Sequence, residues 1–414
     1  MMTLEIDSQR LARELDELGT ISQEAPPVVT RVVFTEADLR GREYVKSLCR
    51  EAGLSVREDA VGNMFARWIG SEPDLAPVGT GSHIDAIPNA GRFDGTVGVL
   101  GGLEAIRALI RAGCKPRRSV ELLMFTSEEP TRFGIGCLGS RLLSGLMDPV
   151  LADQRTGRDG ITLAEARRQA GFTGSLSSVA LPPGYYSAFV ELHIEQGPLL
   201  ERRNIPLGVV TAIAAPASLK IQIDGEGGHA GAVLMPERRD AFLAAAEIAL
   251  SVESAARSSG SIDTVGTVGV CDVFPGAVNS VPARTRIEVD VRDIDESRRD
   301  TVLRKIEEAC NDVAARRGVL VHIEKVNADP PARCAAGVVD ALAAACDDSS
   351  LAYQMMISRA YHDSLFISRL APTAMLFIPC RDGVSHRPDE YSSPEAVAQG
   401  TLVLARALAR LAAE

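Results

Sequence analysis

Positive charge is what this chain has least to spare: 44 Lys and Arg face 55 Asp and Glu, for a net charge of −11. Nucleic acids and anionic membrane surfaces are held mainly by clustered Lys and Arg, so neither is an expected partner. No apolar run approaches the ~20 residues that span a bilayer, and the longest buried-looking stretches have the length of strands. Cysteine is sparse and scattered: eight residues from Cys49 to Cys380, with no Cys-x-x-Cys pair and no short disulfide-scaffold spacing. That pattern argues against a thiolate zinc site or a redox function and for small buried apolar residues. Met1 to Gly19 is charged throughout, with Leu11, Leu15 and Leu18 at helical spacing. It reads as an amphipathic surface helix, not a signal peptide, and a cytoplasmic location is expected.

The chain is well supplied with core. Its 414 residues are 46% hydrophobic and 24% charged, which suits a packed globular protein of two domains. From about Leu75 to Gln196 short apolar runs alternate with helical patterns, the signature of a mostly parallel sheet covered by helices. Val120 to Thr126 and Thr373 to Ile378 are nearly continuous hydrophobic runs, as strands buried on both faces should be. Val99, Leu103, Ile106 and Ile110 mark a helix that Gly113 stops. The middle third changes rhythm. Strands near Leu219–Asp224, Thr264–Cys271, Arg284–Arg292 and Gly318–Glu324, with helices near Pro236–Ala256 and Glu296–Arg316, give the ferredoxin-like order β-α-β-β-α-β. The expected organisation is an α/β domain in two parts, 1–212 and 329–414, with an α+β domain inserted at 213–328.

Three of the six histidines, His83, His193 and His386, fall in or just beyond the polar end of an expected core strand. Open α/β sheets bind ligands outside the carboxyl ends of their strands, and His with Asp or Glu converging there makes a metal site without cysteine. A lone histidine at such a place is more often simply a hydrogen-bonded polar group. The argument therefore rests on the set. Gly-Ser-His83-Ile-Asp85 is followed by Asp94-Gly95 at the start of the helix, so His83 and Asp94 can meet, with Asp85 placed to hold the imidazole by a second hydrogen bond. Asp94 taken alone reads equally well as a helix cap. Glu128 and Glu129 leave the buried strand side by side, an arrangement that is costly unless something positive stands nearby. One can bind metal while the other takes a proton from water that the metal has acidified. His193 and Glu195 share one side of an alternating strand, with Gln196 at its exit. His386 could complete a second metal site. His229 in Gly-Gly-His-Ala-Gly, Asn279 and Arg292 lie in the inserted domain, where turn-forming or solvated roles are the plainer readings.

Together these segments, with Ser385-His386, resemble the dinuclear-metal aminoacylase and carboxypeptidase superfamily, in particular its amidohydrolase branch of N-carbamoyl-L-amino-acid, allantoate and ureidoglycolate amidohydrolases. The resemblance implies that His83 and His193 bind one divalent ion, Glu129 and His386 the other, and that Asp94 bridges them. It makes Glu128 the general base and His229, from the inserted lid of a partner subunit in a homodimer, the oxyanion stabiliser. Gln196, Asn279 and Arg292 would hold a carboxylate-bearing substrate, Arg292 through its planar fork, with Tyr361 and His362 beside them. Manganese or zinc is the implied metal. Met356-Ile-Ser-Arg359-Ala-Tyr361-His362-Asp363-Ser364 looks most like the ureidoglycolate-cleaving members of purine catabolism, where the others more often carry Gly at the position of Tyr361; that tyrosine either shapes the pocket or merely packs. A ureido or carbamoyl acid is the expected substrate, (S)-ureidoglycolate first, then N-carbamoyl amino acids and allantoate. A dipeptidase and a non-catalytic ureido-acid binder are the alternatives.

Overall fold

The computed structural model describes residues 4–157 and 159–414. The chain forms two compact units. The first runs to Thr211 and resumes as Cys334–Ser358 and His362–Glu414; the second comprises Ala212–Arg333 and also Arg359–Tyr361, a short return that periodicity does not reveal.

The first unit is built on a mixed sheet of β1 (Ser55–Glu58), β2 (Met64–Trp68), β3 (Val78–His83), β4 (Val120–Phe125), β5 (Ala188–Ile194), β6 (Leu207–Ile213), β7 (Tyr353–Ser358) and β8 (Thr373–Ile378). Their order is β6-β8-β5-β3-β4-β2-β1, with β7 beside β6. Only β8, β5, β3 and β4 run parallel; β2 and β1 on one side and β6 on the other are antiparallel. The expected mostly parallel sheet is thus corrected to a parallel centre with antiparallel flanks. Length explains it: the link from β1 to β2 covers five residues, which suits a hairpin and is too short for a parallel crossover. The four central strands are buried along their whole length, polar residues such as Thr80, Ser82, Glu121 and Glu191 included.

Helix Thr96–Arg111 packs on this sheet and against helix Pro394–Ala413. Gly98 permits the approach, since a Cβ there would lie 2.4 Å from the Leu192 carbonyl oxygen on β5. Pro394–Ala413 is the one described helix long and apolar enough to cross a membrane, an exception to the sequence reading; 61% of its apolar stretch is buried within the protein, as in a core helix. The N-terminal helix spans Ser8–Thr20 and buries Leu11, Leu15 and Leu18; Met1 to Thr3 of the expected helix lie outside the described residues. Arg31 is buried behind it and donates to the carbonyls of Ile21 (2.9 Å), Leu18 (2.5 Å) and Ile84 (2.8 Å), which ties this helix to the turn after His83.

The second unit places strands Ala215–Asp224, Val265–Phe274, Arg284–Asp293 and Leu320–Ala328 around helices Ala241–Arg257 and Glu296–Arg317 in the order β-α-β-β-α-β. The Arg284–Asp293 strand pairs antiparallel with both Val265–Phe274 and Ala215–Asp224, and Leu320–Ala328 closes the other edge. Thr285, Ile287, Val289 and Val291 are buried and alternate with more exposed Arg284, Arg286, Glu288, Asp290 and Arg292. The period of two therefore decides which face meets the helices.

Candidate metal centre

Each central strand delivers a polar group at its carboxyl end. His83 is the last residue of β3, His193 the penultimate residue of β5, and Glu128 and Glu129 follow β4 after Thr126 and Ser127. Asp94 precedes the helix that starts at Thr96, and His386 lies in the loop after β8. Ser127, Gln196 and His386 all have φ between 55° and 59°, a conformation rare for residues with a side chain. Such backbone gathers at functional sites because the surrounding structure must enforce it.

Asp94 stands at the centre. Its Oδ1 is 3.4 Å from His83 Nε2 and 3.2 Å from His193 Nε2, and its Oδ2 is 3.3 Å from His386 Nε2. His386 Nε2 is 3.1 Å from Glu129 Oε1. Of three donor triads among the described residues, His83–Asp94–His193 and Asp94–Glu129–His386 share one carboxylate, and Glu191–His193–His362 is the third. Ligands about 2.1 Å from one cation in tetrahedral array lie roughly 3.4 Å apart, so these spacings fit an ion in each of the two triads on Asp94. The ring tautomers agree. His83 Nδ1 faces the Asp85 carbonyl at 3.0 Å and His193 Nδ1 the Ile194 carbonyl at 2.9 Å, so each Nδ1 carries the proton and each Nε2 lone pair is turned to Asp94.

The charges agree as well. The ion pairs of Asp94, Glu128 and Glu129 among the described residues run to imidazoles, with Glu128 Oε2 3.9 Å from His83 Nε2. Burial pushes the Glu128 carboxyl well above its ordinary value, and Glu129, Asp363 and Asp94 add to this against the pull of His83. Burial opposes charge on Asp94 too, yet hydrogen bonds with His193, His386 and His83 hold it well below the usual carboxylate range. His386 is raised to about 11 by its hydrogen bonds with Asp94 and Glu129. Three acids thus converge where positive charge is called for, which a pair of divalent cations would supply directly. His386 is 45% exposed while His83 and His193 are buried, so the centre is reached from the His386 side.

One sequence expectation is corrected. His83 Nδ1 donates to the backbone carbonyl of Asp85; the carboxylate, 3.8 Å away, instead accepts from the N–H groups of Glu128 (3.1 Å) and Glu129 (3.0 Å). An acid two residues along a strand end cannot fold back to its neighbour's ring as easily as it can reach across to the next loop. Asp85 therefore fixes the Glu-Glu pair. Gln196 donates to Asp94 Oδ2 at 2.6 Å, and its own buried Oε1 has no partner among the described residues. His362 packs its ring 4.5 Å from that of His193 and bonds Ser358 Oγ at 3.0 Å. His229, Asn279, Arg292 and Tyr361 belong to the second unit. There Arg292 pairs with Asp290 at 2.7 Å and lies 5.3 Å from the centre of the Tyr361 ring, Asn279 accepts the Ala230 N–H through its backbone oxygen, and exposed His229 accepts the Gly231 N–H at Nδ1.

Sequence reasoning missed the supports. Glu390 is buried and accepts from the N–H groups of Phe93 (2.7 Å) and Asp94 (3.1 Å), and its carboxyl is raised to about 7 by burial and by Asp94. Glu191 within β5 accepts from Ser82 (2.7 Å) and Ser364 (2.6 Å) hydroxyls. Cys137 directs its thiol to Glu128 Oε1 at 3.4 Å. A signal existed only for Glu191, an acid inside an otherwise apolar strand.

Gly95 offers a sharp test of the packing. Its φ is 66°, its N–H donates to His193 Nε2 at 3.1 Å, and a Cβ there would sit 2.4 Å from His83 Nε2. Gly95→Ala should push the His83 ring aside and lose the ion of that triad, read as metal per chain by mass spectrometry; full metal content would show that the ring is not held here.

Three comparisons bear on this site. The profile of peptidase family M20/M25/M40 matches residues 79–410. The chain is 55% identical over 99% of its length to a ureidoglycolate hydrolase of Arabidopsis thaliana, covering 87% of that protein, and 39% identical over 98% to an N-carbamoyl-L-amino acid amidohydrolase of Geobacillus stearothermophilus, covering 99% of it. Solved structures of AtUAH, in complex with glyoxylate and with (S)-hydroxyglycine, superpose with a TM-score of 0.93 at 54% identity over 99% of both chains.

Proposed function

The chain belongs to peptidase family M20/M25/M40, and from that premise we propose that it hydrolyses the carbamoyl C–N bond of (S)-ureidoglycolate with two divalent metal ions. The observation that carries this reading is Asp94 set between two donor triads, with Glu128 alongside. Imidazole and carboxylate without thiolate suit manganese or zinc. When bound, the ions polarise the substrate carbonyl and acidify water.

The rest falls to the chain. Asp94 would be shared by the two ions, with His83 and His193 holding one and Glu129 and His386 the other. Glu128 takes the proton of the attacking water, whose oxygen bonds to the carbamoyl carbon, and passes it to the terminal nitrogen as the C–N bond breaks and ammonia leaves. The carbamate left behind loses carbon dioxide to give hydroxyglycine, which releases a second ammonia to give glyoxylate. Those are the two molecules bound by AtUAH. Arg292 pairs the substrate carboxylate, and Gln196, Asn279, Tyr361 and His362 are further substrate-binding residues. His229, whose Nδ1 accepts a backbone N–H and so leaves the proton on Nε2, donates to the oxyanion from the lid of the partner in a homodimer. The insert acts as lid and dimerisation domain in a cytoplasmic enzyme of purine catabolism, with no nucleic-acid or membrane partner.

A second reading, hydrolysis of N-carbamoyl-L-amino acids, is favoured by the Geobacillus relative. Ammonia release from (S)-ureidoglycolate, allantoate, N-carbamoyl amino acids and dipeptides, each with added manganese, separates the readings. We expect kcat/KM highest for (S)-ureidoglycolate by at least about tenfold, roughly what one good contact confers. No ammonia from any ureido acid would sink the assignment.

A further inference from the structure

Two loops far apart in sequence must meet for Asp94 and His386 to share a site, and one buried side chain joins them. Glu390 is 5% exposed. Its Oε1 accepts from the backbone N–H groups of Phe93 (2.7 Å) and Asp94 (3.1 Å), and its Oε2 from Ser385 Oγ at 2.9 Å. Ser385 Oγ also lies 2.6 Å from Asp94 Oδ2. The fit is close on the other side as well, because a Cβ at Gly91 would fall 2.3 Å from that of Glu390.

We propose that Glu390 is a positioning residue that locks the Phe93–Asp94 turn to the Ser385–His386 turn, and that it sets the affinity of the ion held by Asp94, Glu129 and His386. This rests on the two-ion reading above. The effect is directed at one triad for a structural reason. His83 and His193 belong to buried strands, and each ring is fixed by a backbone carbonyl. His386 lies outside any helix or strand, with φ 59°, and is 45% exposed. Without Glu390 the Ser385–Asp94 hydrogen bond is left to register the two loops alone. Groups that support metal ligands from behind typically account for about 10–100-fold in affinity.

The test is calorimetric titration of manganese into the chelator-stripped full chain, with the melting temperature of the stripped protein measured alongside. Wild type should take up two ions. Glu390→Ala should bind the first within about threefold of wild type and the second at least about tenfold more weakly. Glu390→Gln should recover most of the second, since its amide oxygen still accepts both backbone N–H groups while its NH2 donates to Ser385. Two ions bound by Glu390→Ala at wild-type affinity, equal weakening of both, or no recovery with Gln would each overturn the proposal. Should stripped Glu390→Ala fail to fold, Ser385→Ala takes its place, expected to weaken the second ion alone, and an unchanged second ion would overturn it. Fewer than two ions in wild type would overturn the two-ion reading itself, and this inference with it.

Discussion

Glu128→Gln is expected to lower kcat on (S)-ureidoglycolate by about 10³-fold, within the roughly 10²–10⁴-fold that a positioned proton carrier contributes, while metal per chain stays at the wild-type value. Two adjacent acids share this strand end, and the structure separates them. Glu129 Oε1 lies 3.1 Å from His386 within a donor triad, whereas Glu128 Oε2 comes only within 3.9 Å of His83 and belongs to neither triad. The pair cannot exchange places, because both backbone N–H groups are pinned by the Asp85 carboxylate and Ser127 before them is held at φ 56°. Gln keeps the shape of Glu and an oxygen to accept the Cys137 thiol, so only the titratable function is removed. Steady-state rates and metal analysis on the same preparation check it. Activity within tenfold of wild type would refute Glu128 as the base, and metal loss would make it a ligand.

How much of this could be read before folding differs from residue to residue. The cluster was legible because a parallel strand places its last residues at one edge of the sheet, so His83, His193 and Glu129 could be assigned to a common edge from apolar runs alone. Thr373–Ile378 was legible to the residue for the same reason: it is buried on both faces and has no alternation to misread. The flanking antiparallel strands were not, since β2 is buried at one end and partly exposed at the other, which leaves its direction unspecified. Glu390 was hidden for a different cause. In Arg387-Pro-Asp-Glu390-Tyr it reads as one more charge of a solvated loop, and only the long-range approach of Phe93 and Asp94 turns it inward. Asp85 was assigned to the right neighbourhood and the wrong bond. Sequence spacing finds residues that share an edge; which of them touch depends on turns whose geometry no periodicity records.

Asp94→Asn should remove both ions and with them all measurable turnover, a larger loss of metal affinity than the roughly 10–100-fold assigned to groups behind the ligands. The carboxylate cannot be imitated by an amide here. Oδ1 faces His83 and His193, and Oδ2 faces His386 together with donors from Gln196 and Ser385, both at 2.6 Å. If the amide nitrogen takes the Oδ2 place, its hydrogens confront those of the Gln196 amide. In the Oδ1 place it occupies the lone pairs of both buried imidazoles and bars a cation from them. Either orientation satisfies at most one triad with oxygen, and it withdraws the negative charge shared by both. Metal content as purified and calorimetric titration with manganese would measure the result, and circular dichroism of the stripped proteins would show whether the fold is kept. Chelator-treated wild type should match the variant in inactivity but regain turnover when manganese is returned, which Asp94→Asn should not. A variant that still held one ion at wild-type affinity would confine Asp94 to a single triad and end the bridging assignment.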